Sequence, residues 1–369
     1  MCGIGGIIRA QCGSDELRSS LDRMLTSLRL RGPDDRGEWH DYERGIGFCH
    51  TRLSILDLSP LGHQPMLSAS GRYVITFNGE VYNFADLSSE LVGRGHRFRG
   101  GSDTEVMLAA IEEWGIERAV ARFNGMFAFA IWDRQEQRLS LVRDRLGVKP
   151  LYYGWIDGAF RFASELKAIE PSGSRGASVE RGSLALLMCH NYIPAPHSIY
   201  KGIYKLPQAS ILHLDLRQAY VRPVGFAPTA NGGAISPRLY WDAVKVVRDG
   251  LAHPFEGSEH DAIEEVERVM RDSIRLRMIA DVPLGAFLSG GIDSSAVVAL
   301  MQAQSSKPVR TFTIGFDEGA YNEAQHAKRV AAHLGTEHTE LYLSPRGALD
   351  IIPLLPQLYD EPFSDCSQI

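Results

Sequence analysis

The strongest constraint on the fold is a change in the pattern of secondary structure part way along the chain. Up to about residue 170, short apolar strands follow one another with only two helices between them. From Ser258 onward, helical and strand patterns alternate. Successive strands favour antiparallel sheets, whereas alternation favours a parallel sheet with helical crossovers. With 369 residues, the chain is also too long for one average domain.

The first part predicts an α+β sandwich in which helices cover antiparallel sheets. One helix is expected at Asp15–Leu30, and a second follows Ser102, where SDTE is typical of a capping box, and ends at Gly115. The predicted strands are β-branched or aromatic runs bounded by Gly, Asp and Asn: Ile4–Ile8, Ile46–Cys49, Tyr73–Phe77, Met126–Trp132, Leu139–Val142, Leu151–Tyr153 and Phe160–Phe162.

The middle of the chain predicts surface segments and a linker. Pro, Gly and Ser become frequent in PSGSRGAS (171–178) and PTANGGAISP (228–237). We therefore place domains at 1–210 and 258–369, joined by a linker at 211–257. The predicted elements of the second domain are helix Glu259–Ile279, strand Val282–Leu288, a helix from Ser294, strand Thr311–Phe316, helix Asn322–Leu334 and strand Thr339–Leu343.

Composition and charge exclude several classes of function. A net charge of -6 argues against a nucleic-acid stripe or a patch for anionic membranes. No apolar run is long enough to cross a bilayer, and the first ten residues lack the features of a signal peptide, so a cytoplasmic location is expected. The five cysteines are odd in number and include no C-x-x-C pair, which indicates neither a disulfide framework nor a zinc site.

The stretch SGGIDSS lies between a predicted strand and a predicted helix. Its glycines allow the backbone N–H groups to point inward, and the helix N-terminus adds partial positive charge, so the stretch predicts an anion cradle. Its serine hydroxyls add donors, and Asp293 could hold Mg²⁺ on a phosphate. The alternative is a turn in which Asp293 or Ser294 only caps the helix. The candidate phosphate-binding residues are Ser289, Gly290, Gly291, Asp293, Ser294 and Ser295.

A cysteine directly follows the initiator methionine in the opening sequence MCGIGG. Methionine is usually removed when the next side chain is small, which would leave Cys2 with both a thiol and a free α-amine. Such a residue is a nucleophile with its own base. Alternatively, Cys2 is a small apolar residue at the start of the buried strand Gly3–Ile8.

SGGIDSS resembles the pyrophosphate-binding loop of ATP pyrophosphatases, and together with Met-Cys-Gly it resembles the glutamine-hydrolysing asparagine synthetases. The resemblance implies an N-terminal-nucleophile (αββα) glutaminase followed by an α/β ATP-pyrophosphatase domain, which is incomplete at residue 369 because the family continues further. Other stretches similar to motifs of this family are RGPDDRG (31–37), HTRLSILD (50–57), FNGEVYNF (77–84), GSDTEV (101–106), NGMFAFAIWD (124–133), DRLGVKPLYYG (144–154), FASELKAI (162–169), NYIPAPHSIYKGIYKLPQA (191–209), FTIGFDE (312–318) and DEPFSDCS (360–367).

The resemblance implies that Cys2, freed of Met1, attacks the side-chain amide of glutamine. An α-amine has a pKa of about 7.7–8.0, so it is partly unprotonated at neutral pH and takes up the thiol proton. Asn78 and Gly79 match the oxyanion hole of the family, the first through a side-chain N–H and the second through a backbone N–H. On its own, Asn-Gly is also typical of a hairpin turn.

Three charged residues match the glutamine clamp of the family. Arg52 matches the residue that grips the α-carboxylate, a contact that suits a planar fork of donors. Asp103 would pair with the α-ammonium, with Glu80 beside it. Without the resemblance, Arg52 would be a surface charge and Asp103 an acid in the first turn of a helix.

Other polar residues of the first part are expected to be structural or to cover the site. His50 and His63 are expected to be structural, because the α-amine already supplies the base. RGPDDRG is expected to form a mobile flap over the glutamine, shaped by Pro33 and Gly37.

For the second domain, the resemblance implies chemistry on ATP. Leu288 matches a residue whose backbone reads adenine, and Ile314 lies in a similar adenine-facing position; otherwise both are sheet core. The implied reaction joins aspartate and ATP, with Mg²⁺ as counter-ion, to give β-aspartyl-AMP and pyrophosphate. Ammonia delivered through the interior then gives asparagine. No prosthetic group is implied, and a homodimer is one option for assembly.

Three functions stay open on the sequence. The leading one is glutamine-dependent asparagine synthesis. The second is amidation of another carboxylate, such as a sugar acid of a surface polysaccharide, because family membership does not fix the acceptor. The third is a non-catalytic regulatory relative. This alternative is disfavoured because every glutaminase position that can be checked is intact.

Overall fold

The computed structural model describes residues 1–169, 178–316 and 322–365. These residues divide into two compact units, 1–246 with 359–365, and 247–358. Apart from Ser178, the PSGSRGAS stretch lies outside the described residues. None of the helices in the described part of the chain combines the length and hydrophobicity that a membrane span requires.

Two antiparallel sheets form the centre of the first unit. One has the strand order β10-β8-β9-β1-β3-β2 and the other the order β12-β11-β7-β6-β5-β4. In chain order the strands are β1 Gly3–Ile8, β2 Asp35–Asp41, β3 Ile46–Arg52, β4 Met66–Leu67, β5 Tyr73–Val81, β6 Gly125–Asp133, β7 Arg138–Arg143, β8 Tyr152–Ile156, β9 Ala159–Ala163, β10 Ile203–Lys205, β11 Ser210–Asp215 and β12 Arg238–Leu239.

Helices cover the outer face of each sheet. Helices α1, α5 and α6 pack on the sheet that contains β1, and α2, α3 and α4 pack on the sheet that contains β5. The helices of the first unit are α1 Ser14–Leu28, α2 Phe84–Gly93, α3 Asp103–Trp114, α4 Ile116–Arg122, α5 Leu166–Ile169, α6 Arg181–His190 and α7 Leu216–Tyr220, and α8 Ala243–Ala252 begins in the first unit and ends in the second.

A continuous apolar layer joins the two sheets. Phe48 and Phe162 of the first sheet belong to the same buried cluster as Trp132 and Leu141 of the second. On the outer side, Leu17, Leu21, Met24 and Leu28 of α1 recur every three or four residues and are all buried, which is the pattern of a helix with one face on a core. The order helix, sheet, sheet, helix confirms the predicted αββα sandwich.

The first unit contains elements that the sequence patterns did not indicate. Strand β2 is polar, yet it pairs along its whole length with β3, from Asp35 opposite Arg52 to Asp41 opposite Ile46. The predicted linker is wrong at its start, because 211–215 complete β11, which pairs with β7. Ile211 and Leu212 of this strand are both buried.

The second unit contains the predicted parallel sheet, in the order β13-β14-β15. Its core includes Leu288, Val298, Ala327 and Ala331. Strand β13 is shorter than expected, and it begins after Pro283, which has no backbone N–H to donate to a ladder. Its elements are α9 Glu259–Arg277, β13 Gly285–Phe287, α10 Ile292–Ala303, β14 Arg310–Phe316, α11 Ala324–Leu334, β15 Glu337–Leu343, α12 Pro345–Ile351 and α13 Leu355–Leu358.

Candidate active site

The backbone of Cys2 is fixed at the start of β1. Arg31 donates from Nε to the Cys2 carbonyl oxygen at 2.8 Å, and its guanidinium also pairs with Glu165 at 3.0 Å. The next residue, Gly3, lies opposite Thr51 in β3, and a Cβ at Gly3 would collide with the Thr51 hydroxyl. Glycine is therefore needed directly after the cysteine for β1 to approach its neighbour this closely.

The thiol of Cys2 is half-buried and lies against the chain that follows β3. The backbone N–H of Leu53 points at Sγ, with a nitrogen–sulfur distance of 3.4 Å. Burial raises the pKa of the Cys2 thiol above its ordinary value of 9.0. Burial also lowers the pKa of the Met1 amine. At neutral pH the thiol therefore carries its proton, and a nearby base has to accept that proton before the sulfur can attack.

A cavity of about 150 Å³ opens beside this thiol. All six residues that the sequence assigns to glutamine chemistry line it, although they come from four separate stretches of the chain. The predicted residues on its wall are Cys2, Arg52, Asn78, Gly79, Glu80 and Asp103.

Two hydrogen-bond donors on the wall of this cavity have no acceptor among the described residues. The first is Nδ2 of Asn78, which is buried. The second is the backbone N–H of Gly79. Alternate residues of β5 direct their N–H groups to one edge, where Phe77 N–H donates to Gln64 at 2.7 Å and Val81 N–H donates to Asp103 at 2.9 Å; Gly79 lies between them.

The hairpin-turn alternative for Asn78 and Gly79 is wrong, because both residues lie inside β5. They pair with Ala128 and Phe127 of β6. A Cβ at Gly79 would collide with the carbonyl oxygen of Met126. Glycine at this position therefore serves a close approach of two strands rather than a reversal of the chain.

Arg52 is almost fully buried at the end of β3, so the surface-charge alternative is wrong. Its guanidinium donates to the carbonyl oxygens of Ser59 and Leu56, each at 3.2 Å, and to that of Asp57. A guanidinium has five N–H donors in a planar fork, and these contacts use three of them. Two donors are left for a ligand in the cavity.

Asp103 is buried at the first position of α3, with its Oδ2 on the N–H of Val81 at 2.9 Å. Burial raises the pKa of this carboxyl from 3.8 to about 7, and the nearby Glu80 adds to the rise. The capping box expected here is wrong in one half. Ser102 caps the helix through the Thr104 N–H, but the Glu105 carboxylate accepts from Arg99 and Gly100 instead.

The two histidines and the expected flap lie around this cavity rather than on its wall. His50 is buried with Nε2 3.0 Å from the Phe77 carbonyl oxygen, and burial lowers its pKa to about 4. His63 is exposed and pairs with Asp35 at 2.7 Å. The expectation that all of RGPDDRG forms a flap is wrong, because 35–37 are the first residues of β2.

The SGGIDSS stretch forms the predicted strand-to-helix connection in the second unit. Gly290 has φ of 80°, and a Cβ there would lie 2.7 Å from the Ala327 nitrogen, so the turn requires glycine. Gly291 is the N-cap of α10 and offers no side-chain acceptor to the first turn. The hydroxyls of Ser289 and Ser294 lie 2.9 Å apart. An anion at this helix N-terminus would meet free backbone N–H groups and hydroxyl donors.

Leu288 and Ile314 are the two residues that the resemblance placed near adenine. Leu288 directly follows β13, and Ile314 lies in β14. The Leu288 backbone is committed to the sheet, since its N–H donates to Phe312 at 2.9 Å and its carbonyl accepts from the Thr313 hydroxyl. Ile314 is 45% exposed, so it is not the sheet core that the simpler alternative assumed. In the described ranges no cluster of three or more His, Cys, Asp or Glu side chains could hold a metal ion.

Sequence reasoning missed several residues that build the site. Arg31 holds the Cys2 carbonyl, Leu53 contacts the sulfur, Gln64 positions β5, and Lys149 lines the cavity. Arg31, Leu53 and Lys149 lie in motifs that the resemblance had already identified, namely RGPDDRG, HTRLSILD and DRLGVKPLYYG. What a motif cannot indicate is which of its side chains turns toward the thiol.

Comparison with known proteins places these features in a family. A glutamine amidotransferase domain family matches residues 1–223, and an asparagine synthase family matches residues 265–369. A putative glutamine-hydrolysing asparagine synthetase 2 of Methanocaldococcus jannaschii is 35% identical, over 100% of this chain and 70% of that protein. Glutamine-hydrolysing asparagine synthetase 1 of Bacillus subtilis is 33% identical, over 100% of this chain and 54% of that protein.

A third relative carries a different name. Amidase chry2 of Gibberella zeae is 30% identical, over 91% of this chain and 50% of that protein. The chain thus spans 70% of the Methanocaldococcus protein and about half of the other two. The two domain families match consecutive parts of the chain, and the Methanocaldococcus relative is 35% identical over the whole length of this chain. The chain therefore belongs to the glutamine-hydrolysing asparagine synthetase family.

Proposed function

We propose that Cys2 releases ammonia from glutamine and that the ammonia amidates a carboxylate activated by ATP, with aspartate as the acceptor. One observation carries the first half of this proposal: the buried Nδ2 of Asn78 has no acceptor among the described residues and lines the same cavity as the Cys2 thiol. A buried donor without a partner lowers stability, so its presence beside a nucleophile favours a functional role.

The attack on glutamine uses groups that lie on the cavity wall. With Met1 removed, the nitrogen of Cys2 becomes a free amine that takes the thiol proton, and Sγ adds to the carbonyl carbon of the side-chain amide. The carbonyl oxygen becomes an oxyanion, for which Asn78 Nδ2 and the Gly79 N–H are the free donors. The amine then returns the proton to the leaving nitrogen, ammonia departs, and water hydrolyses the γ-glutamyl thioester to glutamate.

The charged side chains of the cavity suit the other end of glutamine. The two unused donors of Arg52 face a carboxylate well, and Asp103 is a buried acid that an ammonium group would compensate. Glu80 adds a second acid near the same position. This arrangement selects a free α-amino acid, because a substrate without both charges would leave Arg52 or Asp103 without a counter-charge.

The second half of the proposal concerns ATP. The SGGIDSS connection, with its helix N-terminus and clustered hydroxyls, suits the pyrophosphate formed when ATP adenylates a carboxylate. Ser289, Ser294 and Ser295 would donate to phosphate oxygens, and Asp293 would hold Mg²⁺ on them. Aspartate as the acceptor is supported by two relatives that are named asparagine synthetases, whereas the third is named an amidase.

The test follows nitrogen and nucleotide together. The protein encoded by the whole gene is incubated with amide-labelled ¹⁵N-glutamine, ATP, Mg²⁺ and a panel of carboxylates that includes aspartate and sugar acids. We expect labelled asparagine, AMP and glutamate in equal amounts. A labelled amide of another acid would overturn the acceptor, and absence of glutamate would overturn the glutaminase.

A matched variant separates the two halves of the chemistry. Cys2→Ala should abolish glutamate formation, because only the release of ammonia from glutamine needs the thiol. The same variant supplied with ammonium chloride should still amidate the acceptor. Glutamate formation that persists in Cys2→Ala would mean that the nucleophile has been misassigned.

A further inference from the structure

Lys149 lines the Cys2 cavity and is 5% exposed. Its backbone is hydrogen-bonded on both sides, but its ammonium group forms no hydrogen bond or ion pair with any residue that the structure describes. A buried lysine without a partner is disfavoured, since desolvation opposes its charge. Burial accordingly lowers the pKa of Lys149 from its ordinary value.

The connection after β7 is built to hold this lysine in place. The buried Asp144 carboxylate accepts from four backbone N–H groups, including those of Val148 at 2.9 Å and Lys149 at 3.0 Å. Arg143 closes the same connection from the other side, donating to the carbonyl oxygens of Lys149 at 2.8 Å and Gly147 at 2.7 Å. These bonds leave the Lys149 side chain as the part of the connection that is directed to the cavity.

The other charged groups around the thiol differ from Lys149 in that the protein already engages them. Arg31 pairs with Glu165, and Arg52 donates to three carbonyl oxygens. Asp103 accepts from a backbone N–H, and Asp34 accepts from Ser54 at 2.8 Å. The charged groups that face the thiol or the lysine are Arg31, Asp34, Arg52, Glu80, Asp103, Asp144 and the terminal amine.

We propose that Lys149 is a positioning residue for the nucleophile, whose ammonium group favours the form of the Cys2 thiol and amine pair that has lost one proton. This inference rests on the proposed glutaminase function. A cation near a thiol favours the thiolate, and a cation near an amine disfavours its protonated form. Both effects lower the pH at which the coupled pair loses its first proton. Glu80 lies on the same cavity wall, and its negative charge opposes the effect of Lys149 on the thiol.

The experiment measures the reactivity of Cys2 without glutamine. The whole-gene protein, with removal of Met1 verified by mass spectrometry, is alkylated with iodoacetamide between pH 5 and 10, and modification of the Cys2 peptide is followed separately because Cys189 is also exposed. In Lys149→Met we expect the midpoint of the alkylation rate to rise by about 1 pH unit. Lys149→Arg keeps the positive charge and should show the wild-type midpoint. Lys201→Met removes an exposed lysine and should also show the wild-type midpoint.

The outcomes distinguish this inference from the function on which it rests. A Lys149→Met midpoint that coincides with the wild type would overturn the inference, as would a variant whose only change is a higher KM for glutamine, since that would make Lys149 a substrate contact. A shifted midpoint in a protein that releases no glutamate would overturn the proposed function alone. Loss of folding is not expected, because methionine removes a buried unpaired charge; thermal unfolding of each variant checks this point, and Lys149→Arg tests the charge independently.

Discussion

At the scale of single residues, Asp103 is a buried acid whose charged form a cationic ligand would favour. Its carboxyl is buried and has one backbone N–H at 2.9 Å, and its pKa is raised to about 7. A substantial fraction of the molecules therefore carries a neutral acid near neutral pH. An arriving ammonium group would favour the charged form, so glutamine binding should release a proton from this side chain.

We expect glutamine to bind more weakly as the pH falls below 7. The physical reason is that protonated Asp103 cannot pair with the α-ammonium, so KM should rise about tenfold for each pH unit well below 7 while kcat changes less. Steady-state hydrolysis of glutamine between pH 5 and 9 measures this. Asp103→Asn should raise KM and remove its dependence on pH, whereas Asp86→Asn, at an exposed position of α2, should behave as the wild type. A KM that stays constant from pH 5 to 9 would contradict the role of Asp103.

The same carboxyl makes the free energy of unfolding depend on pH with a definite sign. Its pKa is about 7 in the folded chain and 3.8 ordinarily, so between these values the folded state binds more protons than the unfolded state. Stability should therefore fall as the pH rises from 4 to 7, by at most about 4 kcal/mol. Asp103→Asn should lack this slope and be more stable than the wild type at pH 8 in thermal unfolding. If the stability of the wild type and of the variant changed with pH in the same way, burial of Asp103 would make no contribution to the pH dependence of unfolding.

Asn78 should contribute mainly to the chemical step. Its Nδ2 has no hydrogen-bond partner in the described part of the chain, so truncation breaks no hydrogen bond of that group. We expect Asn78→Ala to lower kcat for glutamine hydrolysis by about 100-fold to 1,000-fold with little change in KM. Asn83→Ala, which removes hydrogen bonds to Arg122 and Asn124 away from the cavity, should change only thermal stability. A rise in KM with unchanged kcat would make Asn78 a ground-state contact.

The predicted residues that line the Cys2 cavity could largely be identified from the sequence, because each lies in a short local motif. Cys2, Asn78 and Gly79 lie in short motifs whose residue types carry the chemistry, so resemblance was enough to select them. Leu53 and Gln64 act through a backbone N–H and through the positioning of a strand. Such roles depend on packing and leave no characteristic residue type in the sequence.

At the scale of elements, the structure shows where hydrophobic periodicity fails as a signal. Strand β2 has the sequence DRGEWHD and little alternation of apolar residues, yet it forms because its backbone completes the hydrogen bonds of β3. Edge strands of this kind depend on a neighbour rather than on their own side chains. Inside the sheets, where both faces are covered, apolar runs such as β6 were predicted almost to the residue.

The connection after β7 is the element whose stability depends most on one side chain. Asp144 is 1% exposed and satisfies four backbone N–H groups. We expect Asp144→Ala to lower the free energy of unfolding by about 3 kcal/mol, because it leaves several buried donors without an acceptor. Chemical denaturation measures this. Leu146→Ala in the same connection, where the side chain is 74% exposed, serves as the control and should stay within about 0.5 kcal/mol of the wild type.

At the scale of the whole molecule, the chain returns to the first unit after passing through the second. Residues 359–365 belong to the first unit, although the second unit separates them from it in sequence. Glu361 accepts from the Ile199 N–H at 2.7 Å and pairs with Lys205 at 2.5 Å, and both charged side chains are largely buried. No pattern in the sequence indicates such a pairing, since Lys205 and Glu361 are 156 positions apart in the chain.

Breaking this pair should destabilise the first unit strongly and in a way that a second substitution reverses. Glu361→Gln leaves the Lys205 ammonium buried without a counter-ion, and burial already lowers the pKa of that lysine, so we expect a loss of about 3–5 kcal/mol in the free energy of unfolding. Lys205→Met combined with Glu361→Gln removes the unpaired charge and should recover more than half of that loss, giving a non-additive double-mutant cycle in thermal unfolding. Glu264→Gln, an exposed acid of α9, is the control and should have little effect. If the two substitutions at Lys205 and Glu361 were simply additive, this ion pair would contribute no coupling energy, and the returning segment would be held by its other contacts, such as the ion pair of Asp360 with Lys167 at 3.4 Å.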